Sequence, residues 1–252
     1  DAALPAVLLG TNRTAKALSA GGVHVCAILD DNTVKCWGAN ESGQLGLGDV
    51  NNRGDVANEM NTSLPVVNLG TGLTAKAIAA GTSHSCAILN DDTVKCWGAN
   101  DSGQLGLGDK LNRGDALNEM GAALLPVNLG AARKAKAITA GVAHTCALLD
   151  DDSVKCWGKN GQGQLGLGDT ADRGDAAGEM GDFLAPVSFG PGRSARTITA
   201  GFNHTCATLD DNTVKCWGDN AFGQLGLGDK LPRGDAAGEM GANLPPVSFA
   251  SY

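Results

Sequence analysis

The sequence predicts an all-β repeat fold, either a closed β-propeller or an open propeller arc, built from four units of 60 residues. The first observation is near-identity at a fixed period, since the run from His24 to Gly38 recurs from His84, His144 and His204. Second, each unit alternates short apolar strands with glycine-rich turns and contains no long helical pattern. Third, both faces of its central hairpin carry apolar side chains, as expected of blades that stack side by side around an axis.

Each unit is expected to form a four-stranded blade. In the second unit, residues 75–80 form a small-residue strand, and residues 84–89 and 93–97 form a hairpin. The glycine-rich run at 103–108 lacks a phosphate-loop ending, so its glycines are expected to let neighbouring backbones approach closely. A polar stretch and a short extended piece at 125–129 complete the unit. We treat residues 1–252 as a single repeat domain, with repeats at about 13–72, 73–132, 133–192 and 193–252 after an extra N-terminal strand within 1–12.

The eight cysteines occur only as C-x9-C pairs, one pair in each unit. If residues 30–32 form a three-residue hairpin loop, Cys26 lies directly opposite Cys36, at a distance that a disulfide spans. Such a loop ends on a left-handed residue, a conformation that Asn32 tolerates. We therefore predict the disulfides Cys26–Cys36, Cys86–Cys96, Cys146–Cys156 and Cys206–Cys216. The alternatives are free buried thiols, bridges between repeats, or zinc sites made of a cysteine pair and a histidine.

Charge and cysteine usage limit the classes of partner and compartment. The net charge is −8 and the isoelectric point is near 4.9, with no run of lysine or arginine. A nucleic-acid partner requires a concentrated basic face, so the sequence argues against one. No apolar run is long enough to cross a bilayer, which argues against membrane insertion. Paired cysteines are typical of an oxidising setting, and we predict a secreted or cell-surface protein.

Histidine and tryptophan recur at the same two positions of every unit. No serine, cysteine or carboxylate at a singular position completes a nucleophilic set with a histidine, so we predict no enzyme activity. The imidazoles are expected to hydrogen-bond backbone between strands, and the indoles to pack in the core against the disulfides. These predicted structural residues are His24, His84, His144, His204, Trp37, Trp97, Trp157 and Trp217.

The segment GDxxxRGDxxxEM places three carboxylates and one arginine in every unit. Carboxylate oxygens suit calcium, which many secreted modules bind, so the acids are candidate calcium ligands. The arginine among them can neutralise the same acids, and we favour a structural arginine–carboxylate network without a cofactor. The RGD triplet also resembles the integrin-binding tripeptide, although its recurrence assigns it to the framework of the repeat. The candidate calcium ligands are Asp49, Asp55, Glu59, Asp109, Asp115, Glu119, Asp169, Asp175, Glu179, Asp229, Asp235 and Glu239.

The run GxxHxCAxLDDxTVKCWGxNxxGQLGLGD resembles the repeat of the RCC1 (regulator of chromosome condensation) superfamily, which couples a Gly-x-x-His strand to a W-G-x-N-x-x-G-Q-L-G segment. The resemblance covers nearly the whole chain and implies an RCC1-like β-propeller, usually of seven blades. Two features depart from the family: paired cysteines do not fit a nuclear protein, and four repeats are fewer than the usual ring. The chain is thus similar to a secreted, bacterial-type variant, and the nucleotide-exchange function known in part of the family is not carried over.

An LPxV segment occurs five times although there are only four units, so the two ends, at residues 4–7 and 245–247, offer the same strand. A surplus strand beside an open blade edge favours head-to-tail self-association or excision from a longer array, the alternative being a closed four-bladed ring. We predict a non-enzymatic extracellular module for recognition of a protein partner or for self-assembly. The alternative is an inhibitor of an extracellular enzyme, like the β-lactamase-inhibiting propellers, with Phe183, Phe202 and Phe222 as hot spots.

Overall fold

A computed structural model describes residues 5–249, and the remaining terminal residues, including Leu4 of the first LPxV segment, lie outside it. Within this range twelve strands form four antiparallel sheets of three strands each, one sheet for each unit. We number the sheets as blades 1 to 4 in chain order. No helix in residues 5–249 has the length and apolar character that crossing a membrane requires.

The strands have the following bounds. Blade 1 contains β1 (Ala15–Ala20), β2 (His24–Leu29) and β3 (Val34–Gly38); blade 2 contains β4 (Ala75–Ala80), β5 (His84–Leu89) and β6 (Val94–Gly98). Blade 3 contains β7 (Ala135–Ala140), β8 (His144–Leu149) and β9 (Val154–Gly158); blade 4 contains β10 (Ala195–Ala200), β11 (His204–Leu209) and β12 (Val214–Gly218). Two single turns of 3-10 helix lie at Gly181–Phe183 and Gly241–Asn243.

The central hairpin of each blade has the predicted three-residue loop. In blade 1 the Leu29 N–H donates to the Thr33 carbonyl at 2.9 Å, and Cys26 lies in register with Cys36. The last loop residue, Asn32, has a φ of 64°, which asparagine adopts with little strain. The equivalent residues Asp92, Asp152 and Asn212 have the same left-handed conformation. The loop length, the register and the left-handed residue are therefore confirmed.

All eight cysteines form disulfides within their own hairpins, in the four pairs that the sequence predicts. The structure contains Cys26–Cys36, Cys86–Cys96, Cys146–Cys156 and Cys206–Cys216, with Cα–Cα distances of 4.1, 4.0, 4.1 and 4.0 Å. No cysteine is left as a free thiol or available as a zinc ligand. Each bridge therefore closes one hairpin and leaves the contacts between blades to non-covalent forces.

The hydrophobic core is divided among the junctions, by which we mean the contacts between successive blades. Between blades 2 and 3, the Cys86–Cys96 disulfide and Ile88 pack against Leu149 and Trp157. The other two junctions have equivalent clusters. Each inner blade is therefore covered on both faces, because a sheet with two apolar faces requires a neighbour on each side. This confirms the stacking that the two-sided hairpin predicts.

A single extended segment replaces the fourth strand that we expected in each blade. In blade 2 the Val127 N–H donates to the Val94 carbonyl at 2.8 Å, but the segment does not continue as a strand. Pro126 supplies no N–H, so it cannot extend the ladder. Equivalent bonds join Val67 to Val34, Val187 to Val154 and Val247 to Val214.

The inner ends of the blades are linked by backbone hydrogen bonds that run from one blade to the next. These bonds join Gly22 to Gly81, Thr82 to Gly141, and Val142 to Phe202, at 3.0, 3.3 and 2.9 Å. Across residues 5–249 no equivalent bond joins blade 4 back to blade 1. Of the two arrangements that the sequence predicts, the structure is the open arc.

We expect each disulfide to contribute substantially to stability. Replacing Cys86 and Cys96 together by serine should lower the free energy of unfolding by about 3 kcal/mol, because the bridge closes a short loop in the unfolded chain. Guanidinium denaturation of the variant beside the wild type measures this difference. Reductant added to the wild type should lower the midpoint further, since it opens all four bridges. Equal midpoints for the double variant and the wild type would contradict the prediction.

Candidate functional site

Each blade contacts the next through the histidine at the start of its second strand. His84 Nε2 lies 3.0 Å from the Thr145 hydroxyl of blade 3, and that hydroxyl donates to the Gln104 carbonyl at 2.9 Å. Since the hydroxyl proton is used on the carbonyl, the imidazole carries its own proton on Nε2 and donates it. His24 bonds Ser85 at 2.7 Å and His144 bonds Thr205 at 3.0 Å in the same way. The partner is thus a side chain of the next blade, whereas we expected backbone between strands.

Burial keeps these imidazoles neutral. Desolvation lowers the pKa of His84 and of His144 to about 3, and that of His24 to about 4. A general acid or base works best with a pKa near the operating pH, so these values suit a structural role. His204 lies in the last blade of residues 5–249 and is only partly buried, although burial lowers its pKa as well.

The glycine-rich loop of each blade is seated on the tryptophan of the next. The fully buried Trp157 donates its indole N–H to the Gln104 carbonyl at 3.0 Å. A Cβ on Gly106 would lie 2.8 Å from the indole nitrogen, and one on Gly103 would lie 2.3 Å from the Asp175 amide nitrogen. Only glycine allows this approach, as the sequence predicts. Trp97 with Gln44 and Trp217 with Gln164 repeat the indole–carbonyl bond at 3.0 Å.

The acidic segment forms the arginine–carboxylate network that we favoured. In the second unit, the Arg113 guanidinium pairs with Asp109 at 2.6 Å and also donates to two backbone carbonyls. The Glu119 carboxylate accepts the N–H groups of Gly114 and Ala116 at 2.9 and 3.1 Å. The pairs Arg53–Asp49, Arg173–Asp169 and Arg233–Asp229 have the same 2.6 Å distance. Within residues 5–249 no group of three or more histidine, cysteine, aspartate or glutamate side chains lies close enough together to hold a metal ion, and the calcium ligands stay a prediction.

The remaining acid of the segment faces the preceding blade. Asp175 lies 2.8 Å from the Lys110 ammonium at the junction of blades 2 and 3, and this hydrogen-bonded ion pair lowers its pKa. The positions equivalent to Lys110 at the other two internal junctions are Val50 and Thr170. Asp235 is the equivalent of Asp175 in blade 4, and at the junction of blades 3 and 4 Thr170 takes the place of the lysine. Burial together with the neighbouring glutamate raises the pKa of Asp235.

Sequence reasoning missed two sets of junction residues. One is the hydroxyl that receives the imidazole, supplied by Ser85, Thr145 and Thr205. The other is a buried lysine in the third strand of each blade: the Lys95 ammonium donates to the carbonyls of Leu69 and Gly121 at 2.9 and 2.7 Å. Burial lowers the pKa of Lys95. The available signal was the recurrence of lysine inside an apolar strand, at Lys35, Lys95, Lys155 and Lys215.

Nothing in residues 5–249 covers the outer face of blade 4, with the loop 223–228, and we call it the tail face. Gly226 is exposed, although the equivalent glycines of the other three loops are buried. A Cβ placed on Gly223 or Gly228 would meet no atom within 4 Å. The loop that elsewhere seats on the next blade is therefore free at this end.

The outer face of blade 1 is uncovered in the complementary way, and we call it the head face. Trp37 is only half-buried and Gly54 is exposed, whereas their equivalents in the other blades are buried. Trp37, Gly54 and Met60 line a groove of about 630 Å³ together with part of residues 5–8. Their equivalents on blade 2 hold the loop of blade 1, so the head face carries an empty seat for a glycine-rich loop.

These contacts define a class of protein, a β-propeller arc of repeated blades with unlike faces at its two ends. Each blade is bound to the next by the same imidazole–hydroxyl and indole–carbonyl hydrogen bonds. The chain belongs to the family of regulator of chromosome condensation (RCC1) repeat proteins. One description of the repeat matches residues 15–44, 75–104, 135–164 and 195–224, and a longer one matches 31–88, 91–148 and 151–208. The resemblance seen in the sequence is confirmed.

Several known proteins are similar to this chain. The ultraviolet-B receptor UVR8 of Arabidopsis thaliana is 29% identical over 262 residues, covering 84% of this chain and 55% of the relative. The probable E3 ubiquitin-protein ligase HERC4 of Rattus norvegicus is 30% identical over 219 residues, covering 86% of this chain and 18% of the relative. The chain thus spans about half the length of the first relative and much less of the second.

Solved structures confirm the fold. Prp20p from Saccharomyces cerevisiae superposes with a TM-score of 0.67 at 21% identity, covering 97% of this chain and 52% of that one. Human WBSCR16 superposes with a TM-score of 0.65 at 18% identity, covering 95% and 54%. The four blades therefore correspond to about half of each of these structures.

The buried histidines predict that acid destabilises the fold. The unfolded chain binds protons at its histidines near pH 6.5, whereas buried His84 does not do so until about pH 3. Stability is therefore fully present above pH 6.5 and falls as the pH drops below it, by about 2 kcal/mol at pH 5 for each fully buried imidazole. Urea unfolding at pH 7.5 and pH 5 measures the loss. His84→Gln should reduce the pH dependence of the unfolding free energy by the contribution of one buried imidazole. A wild type that is equally stable at both pH values would contradict the prediction.

Proposed function

We propose that the chain is a non-catalytic interaction module whose tail face binds the head face of a second copy, so that copies assemble head to tail. One observation carries the proposal: the two end faces bear opposite halves of the junction that the chain builds three times internally. The tail face offers the free glycine-rich loop, and the head face offers the seat beside Trp37. Unlike faces that fit each other generate rings or filaments, according to whether the rotation closes.

Charge complementarity supports this alignment of the tail face of one copy on the head face of another. Lys230 on the tail face is equivalent to Lys110, and Asp55 on the head face is equivalent to Asp175. The internal pair Lys110–Asp175 is a 2.8 Å ion pair. A junction between blade 4 of one copy and blade 1 of another therefore brings Lys230 to Asp55. Opposite charges at the edge of such a contact favour the correct partner and register.

Two residues that differ from their equivalents in the other blades make the contact between copies weaker than an internal junction. Val25 stands where the other three blades have a serine or threonine, so His204 of the incoming copy meets no hydroxyl. Thr208 stands where the other blades have isoleucine or leucine, so the tail face is less apolar. The loss of one buried hydrogen bond and some apolar contact favours an assembly that forms reversibly.

The setting and the kind of partner follow from the same features. Four disulfides support an oxidising compartment, and we propose a secreted or cell-surface location. Similar propellers bind proteins: yeast RCC1 (Prp20) has been solved bound to Kap60, and Prp20p binds Gsp1p and histones. A protein partner, in this case another copy, suits a surface of net charge −8 better than nucleic acid does.

Self-association and its register can be tested together. The mass in solution, measured by sedimentation, should rise with protein concentration. Val25→Thr supplies the missing hydroxyl and should tighten association about fivefold to tenfold. Lys230→Asp should weaken it several-fold because the new carboxylate faces Asp55, whereas Lys159→Asp, the same change on an exposed lysine within the arc, should not.

A mixing experiment provides the decisive control. Asp55→Lys and Lys230→Asp should each associate weakly alone, because each variant places two like charges at the contact. A mixture of the two should associate in alternating order, because every contact between unlike variants then pairs one lysine with one aspartate. A wild type that stays a single chain at every concentration would overturn the proposal. A wild type that associates while the mixture does not would show that other surfaces are used.

The exposed phenylalanines favour a second function, inhibition of an extracellular enzyme. Phe183, Phe202 and Phe222 are 84%, 69% and 90% exposed, and each occurs in one repeat only. Large aromatic side chains that differ between copies are suited to recognising a single foreign surface. The immobilised protein should be exposed to its native extracellular fluid. A stoichiometric enzyme held by the wild type and lost with Phe222→Ala would favour inhibition; retention of this chain alone favours assembly.

A further inference from the structure

We infer that residues 5–9 occupy, in each separate copy, the place against Leu29 and Trp37 that residues 244–249 of a second copy take on assembly. Association then requires one segment to replace the other. This inference rests on the proposed head-to-tail association. It concerns the surplus LPxV strand, which no internal junction uses. The occupant is a named segment of a second copy of this chain, and the internal junctions serve as its template.

An internal segment contacts the two blades that flank it. The Val67 N–H donates to the Val34 carbonyl of blade 1 at 2.8 Å. The next carbonyl, that of Asn68, accepts the Gly121 N–H from the following repeat at 2.9 Å. Leu69 is buried in the junction core with the apolar side chains of blade 2. One segment thus bonds the edge of its own blade and covers part of the following one.

At the head face, residues 5–9 make only the second half of these contacts. The Leu8 carbonyl accepts the Asn61 N–H at 2.9 Å, as Asn68 does from Gly121. Leu9 is buried in a small cluster with Leu29, against which Trp37 packs. Val7, the equivalent of Val67, is exposed, and in the described residues its N–H donates to no backbone carbonyl. The strand edge that Val7 would bond is the edge of a preceding blade.

At the tail face, residues 244–249 make only the first half. The Val247 N–H donates to the Val214 carbonyl of blade 4 at 2.8 Å. Phe249 is 77% exposed, although its equivalent Phe189 is buried against Trp217 with ring centroids 5.7 Å apart. Phe249 therefore lacks the tryptophan that the next blade would provide.

Joining the two faces brings two strands to one seat. The tail segment arrives already bonded to Val214, and it places Phe249 beside Trp37 of the second copy, where Leu9 of that copy lies. Phenylalanine buries more apolar surface than leucine and can stack on the indole, so the incoming strand is the better occupant. The resident segment packs against part of Trp37 until then. Association by strand addition therefore has to displace residues 5–9 from the head face.

The two competing side chains can be separated by substitution in this chain. Leu9→Ala weakens the resident strand and should tighten self-association about fivefold, whereas Phe249→Ala removes the incoming ring and should weaken it about tenfold. Phe183→Ala, a change of a similarly exposed phenylalanine in an inner repeat, should leave it unchanged. Sedimentation over a range of concentrations measures all four proteins. Circular dichroism confirms that Leu9→Ala is folded, and Phe249→Ala tests the same seat independently.

The outcomes separate this inference from the proposed function. If Lys230→Asp weakens association but Leu9→Ala does not tighten it and Phe249→Ala has no effect, copies bind head to tail without strand exchange and the inference is wrong. If neither the wild type nor Val25→Thr associates at any concentration, both proposals fail together. Opposite effects of Leu9→Ala and Phe249→Ala, with an unchanged Phe183→Ala control, would support the exchange.

Discussion

The structure depends on one backbone carbonyl in each of the first three glycine-rich loops, because this single acceptor joins two blades. The Gln104 carbonyl takes both the Trp157 indole and the Thr145 hydroxyl, and that hydroxyl in turn accepts the imidazole of His84. All of these groups are buried, so any one left without its partner would lose its hydration without compensation. Gly106 makes the arrangement possible, since a Cβ there would collide with the indole. Each blade thus selects its neighbour by polar contacts as well as by apolar packing.

The features that the sequence predicted well are local. The pairing of Cys26 with Cys36 follows from the number of loop residues between two strands, and Asn32 marks the end of that loop. A one-residue change in the loop would put the cysteines on opposite faces, so the spacing alone determines the register. The role of Arg113 was also accessible, because its partner Asp109 lies only four residues away. Repetition then extended each local conclusion to the other three units.

The features that the sequence did not predict depend on how far one blade is offset from the next. Thr145 meets His84 across a junction, and no spacing within one repeat reveals that contact. The same holds for Lys95, whose ammonium reaches the carbonyls of Leu69, from the preceding repeat, and Gly121. The short fourth segment had a visible cause in Pro126, which cannot donate to a ladder. Whether four blades form a ring or an arc depends on the rotation between successive blades, added over the three junctions. The sequence does not reveal that rotation.

The repeated contact between a glycine-rich loop and the following blade has a consequence for how such genes gain or lose repeats. Because each internal junction uses the same side chains, a duplication of one 60-residue unit places a new blade between neighbours that already present matching halves. Insertion or loss of a unit therefore preserves the imidazole–hydroxyl and indole–carbonyl contacts, whereas the Lys110–Asp175 ion pair is specific to one junction. Val25 and Thr208 are the exceptions, and they mark blades 1 and 4 as the two that cannot be moved inward without a loss of contact.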